Sequence, residues 1–123
     1  DGANLKSANL VNTDMSQASF RYSVLEGALL NGADLTNCDF LVANLSKANL
    51  TGSNLTGTFL RGTKFTESIL IGAEFANANI IEDWFESLMK SKTIGAKEIK
   101  DRYRIVVDTS ARYLNYGFYL EKK

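Results

Sequence analysis

From Leu5 to Ile80 a large apolar residue recurs at every fifth position: Leu5, Leu10, Met15, Phe20, Leu25, Leu30, Leu35, Phe40, Leu45, Leu50, Leu55, Leu60, Phe65, Leu70, Phe75 and Ile80. The residue two places before each is Ala, Ser, Thr or Cys, and the remaining three places are mostly polar or Gly. A period of five fits neither the 3.6 of a helix nor the 2 of a strand, so the backbone must turn a corner at each unit. Four corners close a square coil of about twenty residues, and coils stacked at the inter-strand spacing of roughly 4.8 Å place residue n below residue n+20. The sixteen units then make four coils, a column roughly 19 Å tall. Both the large and the small residue point inward, because a tube this narrow holds one bulky side chain per side and overpacks if the other is bulky too. Stacking puts Phe20 beneath Phe40 inside the tube. Gly27, Gly32, Gly52, Gly57, Gly62 and Gly72 close their units, where a tight corner calls for positive φ or close backbone approach.

Units such as Ala33, Asp34, Leu35, Thr36, Asn37 and Ala48, Asn49, Leu50, Thr51, Gly52 resemble the motif of the pentapeptide-repeat family, and the resemblance runs over about two thirds of the chain. It implies an all-β fold, a right-handed quadrilateral β-helix of four coils. Repeats of this kind bury their apolar side only against their neighbours. The expected organisation is a β-helix over residues 1–80 and a helical cap or appendage over 81–123. Asp1 and Gly2 look like the last two places of a unit whose centre precedes them, so the expectation is a chain that has been processed or extends further at this end.

Beyond Ile80 the spacing changes to three and four, through Ile81, Trp84, Phe85, Leu88 and Met89, which predicts an amphipathic helix to about Lys92. Asn79 followed by Glu82 has the form of a capping box for it. Trp84, Phe85 and Leu88 are the expected cap residues, covering Phe65, Leu70, Phe75 and Ile80, because the last coil otherwise leaves apolar centres and an unpaired backbone edge in water. A break at Thr93, Ile94 and Gly95 leads into a second predicted helix with Ile99, Tyr103, Val106, Ser110, Tyr113 and Leu114 on one face and Gly117 as its stop.

The chain of 123 residues has no His, no Pro, one Cys and a formal net charge of zero. Without His, the usual general acid and base, the common nucleophile-and-base pairs and the commonest metal ligand are missing. Asp14, Asp34 and Glu74 share a column that could in principle hold a cation, but Asn54 interrupts it and a polar residue before each centre is what the repeat demands. Gly52 and Gly57 have the glycine spacing of a phosphate loop, yet Thr58 and Phe59 follow where Lys and a hydroxyl residue are needed. Neither catalysis, nor a cofactor, nor a metal is expected. Cys38 occupies a small inward place and is expected to be a buried, reduced thiol. The sequons at Asn44, Asn49 and Asn54 are products of the repeat itself. No signal peptide or apolar membrane span is visible, and a cytoplasmic setting is the working expectation.

Lys97, Lys100, Arg102, Arg104 and Arg112 are interleaved with Tyr103, Tyr113, Tyr116 and Tyr119, a pairing that suits nucleic acid. From Ile81 onward, however, nine Lys and Arg face seven Asp and Glu, so a solvated face is the better reading and nucleic acid is not expected as a partner. The first eighty residues carry five basic and seven acidic residues, too few for the long acidic rod with which some members of the resembled family imitate DNA toward topoisomerases. What remains is the outside of the tube, where exposed apolar residues imply a cover. Val11, Leu29, Ile69 and Ile71 flank one side. On another, Arg21, Tyr22, Leu41, Val42, Phe59 and Arg61 form the favoured interaction patch, aromatic and Arg residues being typical anchors. The sequence therefore reads as a non-catalytic protein-interaction module or rigid scaffold with an unidentified protein partner, and a homodimer through an uncapped solenoid end or the C-terminal helix is a further expectation. The alternatives are the recognition part of a larger bacterial effector or enzyme, such as a ubiquitin ligase, and a DNA mimic that contacts topoisomerases.

Overall fold

The computed structural model describes residues 1–107 and 117–123. Its repeat region pairs each coil with the next through twelve parallel bridges, from Asn4 with Val24 to Phe59 with Asn79, every one spanning twenty residues. Along a side the pattern is constant. Leu25 N–H donates upward to Asn44 O at 2.8 Å, Gly27 N–H to Ser46 O at 2.9 Å, and Asn44 N–H returns downward to Ser23 O at 2.9 Å. Each corner is closed by the N–H three residues after a centre, as Ala28 N–H donates to Leu25 O at 3.0 Å. The last place of the unit has positive φ throughout, at Gly32 (66°) and Gly52 (67°) but also at Asn12 (57°), Gln17 (64°) and Val42 (56°), as a type II turn requires of its third residue. Because two residues in five are spent on the corner, the sides are single-residue bridges rather than long strands.

The Asn or Asp before each centre has a structural task. Asp34 Oδ1 accepts the Thr36 N–H at 3.0 Å and Asn49 Oδ1 accepts the Thr51 N–H at 3.1 Å, bonds that span the inward residue and hold the backbone of the side flat before it turns. Inside, Leu25, Leu30, Leu35, Phe40, Leu45, Leu50, Leu55, Leu70 and Phe75 have no exposed surface, Leu60, Phe65 and Ile80 almost none. Leu5, Leu10 and Met15, in the first coil, are only half-buried. Phe20 and Phe40 stack with centroids 5.2 Å apart and planes 9° from parallel. Of the buried hydroxyls at the small inward places, Ser53 bonds back to Leu50 O and Ser68 to Phe65 O, both at 2.7 Å, which removes the cost of an unpaired polar group, whereas Ser23 Oγ has no partner. Cys38 Sγ points to Met15 O at 3.0 Å, and burial pushes its thiol up to about 11.

The C-terminal region is mixed. Helix α1 spans Trp84–Lys90, helix α2 Ala96–Arg102, and strands β1 (Tyr103–Val107) and β2 (Phe118–Lys122) form an antiparallel pair with Ile105 opposite Leu120. Three expectations are corrected. The capping box does not form: Asp83 is the N-cap of α1 and makes no side-chain cap bond, because Asn79 stays in the last coil, bridged to Phe59 and Tyr119, with its Nδ2 donating to Phe118 O at 3.0 Å. Helix α1 also ends at Lys90, short of Lys92. The second helix stops at Arg102, and Tyr103 and Val106 lie on β1 instead; the β-branched run Ile105, Val106 and Val107 favours extended backbone over helix. The cap is thus not purely helical. Gly117, with φ of 63°, precedes β2. Ser110, Arg112, Tyr113, Leu114 and Tyr116 lie outside the described residues.

This region closes the upper edge of the tube with a different device on each side. Ser91 O accepts the Glu67 N–H at 2.9 Å and Ile94 O the Leu70 N–H at 2.8 Å, so residues 91–95 begin a fifth coil. On the third side a side chain replaces the strand. Tyr103 is fully buried, and its hydroxyl accepts the Phe75 N–H at 2.9 Å and donates to Glu74 Oε2 at 3.0 Å. On the fourth side β2 takes over, with Asn77 N–H to Leu120 O at 2.7 Å and Leu120 N–H to Ala78 O at 2.9 Å. Over the mouth of the tube Trp84 packs edge-on to Phe65 and Phe75 at 6.2 and 5.4 Å, and Phe85 lies tilted against it at 5.8 Å. Leu88 is buried beside them. Among the described residues no helix is long and apolar enough to cross a membrane.

Leu50→Ala is expected to lower stability by about 2–5 kcal/mol, and Leu50→Asp to abolish the cooperative melt by burying a charge; a Leu50→Asp protein melting near the parent temperature would contradict the inward assignment. Removing the Tyr103 hydroxyl with Tyr103→Phe orphans the Phe75 N–H and should cost about 1–3 kcal/mol in chemical denaturation. For Cys38, a thiol-reactive disulfide at pH 8 should label the native protein far more slowly than the denatured one. Because the folded thiol keeps its proton above its ordinary value of 9.0, the unfolded chain binds fewer protons between pH 9 and about 11, so stability falls with pH across that window. Cys38→Ala should reduce that slope.

Candidate interaction surface

The fourth side of the tube carries the predicted patch. Its outward ladder runs Ser19, Asp39, Phe59, Asn79 and is continued antiparallel by Tyr119 of β2. Beside the ladder stand Arg21, Leu41 and Arg61, one coil apart, and at the corner Tyr22 and Val42. Arg21 Nε lies 3.5 Å from Asp39 Oδ2, and the Arg21 guanidinium sits 6.0 Å from the centre of the Tyr22 ring, within the range of a cation–π contact. Asp39 is fixed from the other side by the Leu41 N–H at 3.0 Å. A cavity of about 190 Å³ opens here, lined by Arg21, Asp39, Leu41, Phe59, Arg61 and Asn79.

Four of the six predicted residues thus surround one cavity, while Tyr22 and Val42 flank it, 57% and 50% exposed. Sequence reasoning did not place Asp39 and Asn79 in this patch, although both stand in the column of Phe59 and the twenty-residue register alone would have found them. They matter to the chemistry: Asp39 holds the Arg21 guanidinium in an ion pair, and Asn79 Oδ1 is a buried acceptor with no hydrogen-bond partner. Tyr22 and Val42 also occupy the left-handed region, φ 60° and 56°. For the β-branched Val42 this conformation is a strained one, on the order of 1–2 kcal/mol, and half of its surface is exposed.

The other candidate groups are engaged elsewhere. In the acidic column, Asp14 Oδ1 accepts the backbone N–H and the hydroxyl of Ser16 at 3.0 and 2.9 Å; the backbone bond first, then the hydroxyl, hold its carboxyl below the usual range, the opposite of what repulsion between stacked carboxylates produces. Glu74 pairs with Arg102 at 3.0 Å and Lys122 at 3.7 Å. Among the described residues no cluster of His, Cys, Asp or Glu is arranged to hold a metal ion. Of the basic residues weighed for nucleic acid, Lys97 pairs with Asp101 at 3.0 Å, Arg102 also stacks on Tyr103 at 5.2 Å, and Arg104 stands opposite Glu121 in the hairpin. A second cavity of about 200 Å³ lies where α1 meets the last coil, between Phe65, Lys64 and Trp84. The Trp84 Nε1 is buried without a partner.

Comparison with known proteins agrees with the coil register. A crystal structure of alr5209, a pentapeptide repeat protein from Nostoc Pcc 7120, matches at 28% identity with a TM-score of 0.66, covering 76% of this chain and 81% of that one. Rfr23, a pentapeptide repeat protein from the cyanobacterium Cyanothece 51142, matches at 26% identity with a TM-score of 0.50 over 74% of this chain, which spans about half, 52%, of that chain. A search of curated protein sequences finds no match. The family description Pentapeptide repeats fits residues 1–37 and 43–80, in eight copies. With more than half of its residues inside that match and its coils paired at twenty-residue intervals, this chain belongs to the pentapeptide-repeat family, whose fold is the right-handed quadrilateral β-helix.

Proposed function

We propose that this protein is a non-catalytic interaction module, a rigid scaffold that presents the fourth side of its tube to a partner protein. The observation that carries the reading is Val42: a β-branched residue held at φ 56° and half exposed, in a place where Gly closes five of the first twelve units. Nothing in the packing of the tube asks for Val there, and backbone strain at an exposed position is commonly stored where contacts are made. Around it the side offers an aromatic ring at Tyr22, a guanidinium at Arg21 and an unpartnered acceptor at Asn79 Oδ1, the composition of an interface anchor. A surface fixed by four ladders of backbone bonds loses little conformational freedom on docking, so its contacts count almost fully toward affinity.

The reading is tested by opposing effects at one residue. Val42→Gly should raise the melting temperature, by relief of the left-handed strain, while weakening retention of the captured partner. Tyr22→Ala should weaken the same partner with little change in melting. If capture from a lysate is unchanged in both variants, or if Val42→Gly lowers the melting temperature, the reading fails.

A further inference from the structure

In the last coil, the second, third and fourth sides have both of their upward backbone groups filled, and the first does not. On the second side Leu70 N–H donates to Ile94 O and Ile94 N–H to Ser68 O, both at 2.8 Å, so one residue in parallel register answers a donor and an acceptor. On the third, Tyr103 Oη accepts the Phe75 N–H at 2.9 Å and Arg102 Nη1 donates to Ala73 O at 3.3 Å. On the fourth, the Ile80 N–H reaches Phe118 O at 3.2 Å and the Leu120 N–H reaches Ala78 O at 2.9 Å. The matching groups of the first side are the Phe65 N–H and Thr63 O, which have no hydrogen-bond partner among the described residues. Both residues line the cavity of about 200 Å³ where α1 meets this coil. The place of a single fifth-level residue, above Lys64, is therefore open.

We propose that this place binds the C-terminal residue of a partner protein, added to the first side as a parallel β-bridge. Ile94 on the second side is the template: the incoming residue donates its N–H to Thr63 O and its carboxylate accepts the Phe65 N–H. Unpaired N–H and C=O groups at a sheet edge are what an added segment pairs with. The segment has to end there, because the next upward donor, the Glu67 N–H, is already taken by Ser91 O at 2.9 Å. An end brings a carboxylate, and the described residues that line the cavity include Lys64 and no Asp or Glu. A bond from an N–H to a carboxylate is roughly twice as strong as one between neutral groups. The residue before the end turns inward, by the alternation of extended backbone, toward Leu60, Trp84 and Leu88. A cavity of about 150 Å³ holds benzene, so this one accepts a small apolar side chain. The Trp84 indole N–H, buried without a partner, is a further unfilled donor at the same wall. The contact is separate from the fourth side and stands without the partner proposed there.

Two probes test it on the 123-residue chain: the tripeptide acetyl-Gly-Val-Leu as its free acid, and the same tripeptide with an amidated C-terminus. Each is titrated while the Phe65 amide and the indole N–H of Trp84, the only tryptophan, are followed by nuclear magnetic resonance. The free acid should shift both resonances saturably in the millimolar range and slow exchange of the Phe65 amide, and the amidated peptide should bind about tenfold more weakly. Lys64→Met, at an exposed position, should weaken the free acid about three- to fivefold with the melting temperature unchanged. No saturable shift with the free acid overturns the proposal, as does equal binding of the two peptides. So does a free protein in which the Phe65 amide exchanges as slowly as that of Leu70, since its N–H would then not be open.

Discussion

The structure depends on one backbone constraint: every fifth residue must take positive φ so that the chain turns a corner and the next side begins. Given that turn, the carbonyl and amide groups on either side of each centre line up with those of the coil above, as Leu25 and Gly27 do with Asn44 and Ser46. The interior follows from the same geometry, because corners at this spacing leave room for one large and one small side chain per side. Glycine meets the turn at little cost, and Asn meets it tolerably. Where Val42 or Tyr22 stands instead, the ladder on both sides holds the corner in place, and the cost is borne by an otherwise rigid scaffold.

Most of the tube was legible in the sequence because its two inward positions are read directly from side-chain size. Leu50 and Ala48 announce their orientation with no reference to the rest of the chain. The C-terminal region was legible only in part. Trp84 and Leu88 sit where helical spacing puts them, but Tyr103 fits a helical face and a strand equally well, and the choice was made by the β-branched residues after it and by the need of the Phe75 N–H for an acceptor. That need arises from the upper edge of the tube, a tertiary fact with no local signal. Asn79 misled for the same reason: its place before a centre and its place ahead of Glu82 imply different roles, and the ladder took precedence.

The upper end of the tube is closed by the chain's own C-terminal region. At the top, residues 91–95, the Tyr103 hydroxyl and β2 occupy backbone groups that would otherwise offer an edge to another strand, the hazard that natural sheets cover or disguise. In the first coil Leu5, Leu10 and Met15 are only half-buried. Between the ends, the four walls share one backbone and differ in side chains alone. The fourth joins an Arg, an aromatic ring and a cavity; the second has no charge; the third spends its carboxylates on its own turns and on the cap. A solenoid of this kind separates stability, which resides inside, from recognition, which resides on its sides.

Amide hydrogen exchange followed residue by residue tests the central claim most directly, since it reads the ladder bonds one at a time. The account predicts strong protection at Leu25, Leu45 and Leu50, protection at Asn77 and Ile80 comparable to that of the inner coils because β2 covers them, and fast exchange at Asn4, Asn9, Asp14 and Ser19. Fast exchange at Leu45 and Leu50, or at Asn77 and Ile80, would contradict a tube built on twenty-residue register and closed at its upper end by β2.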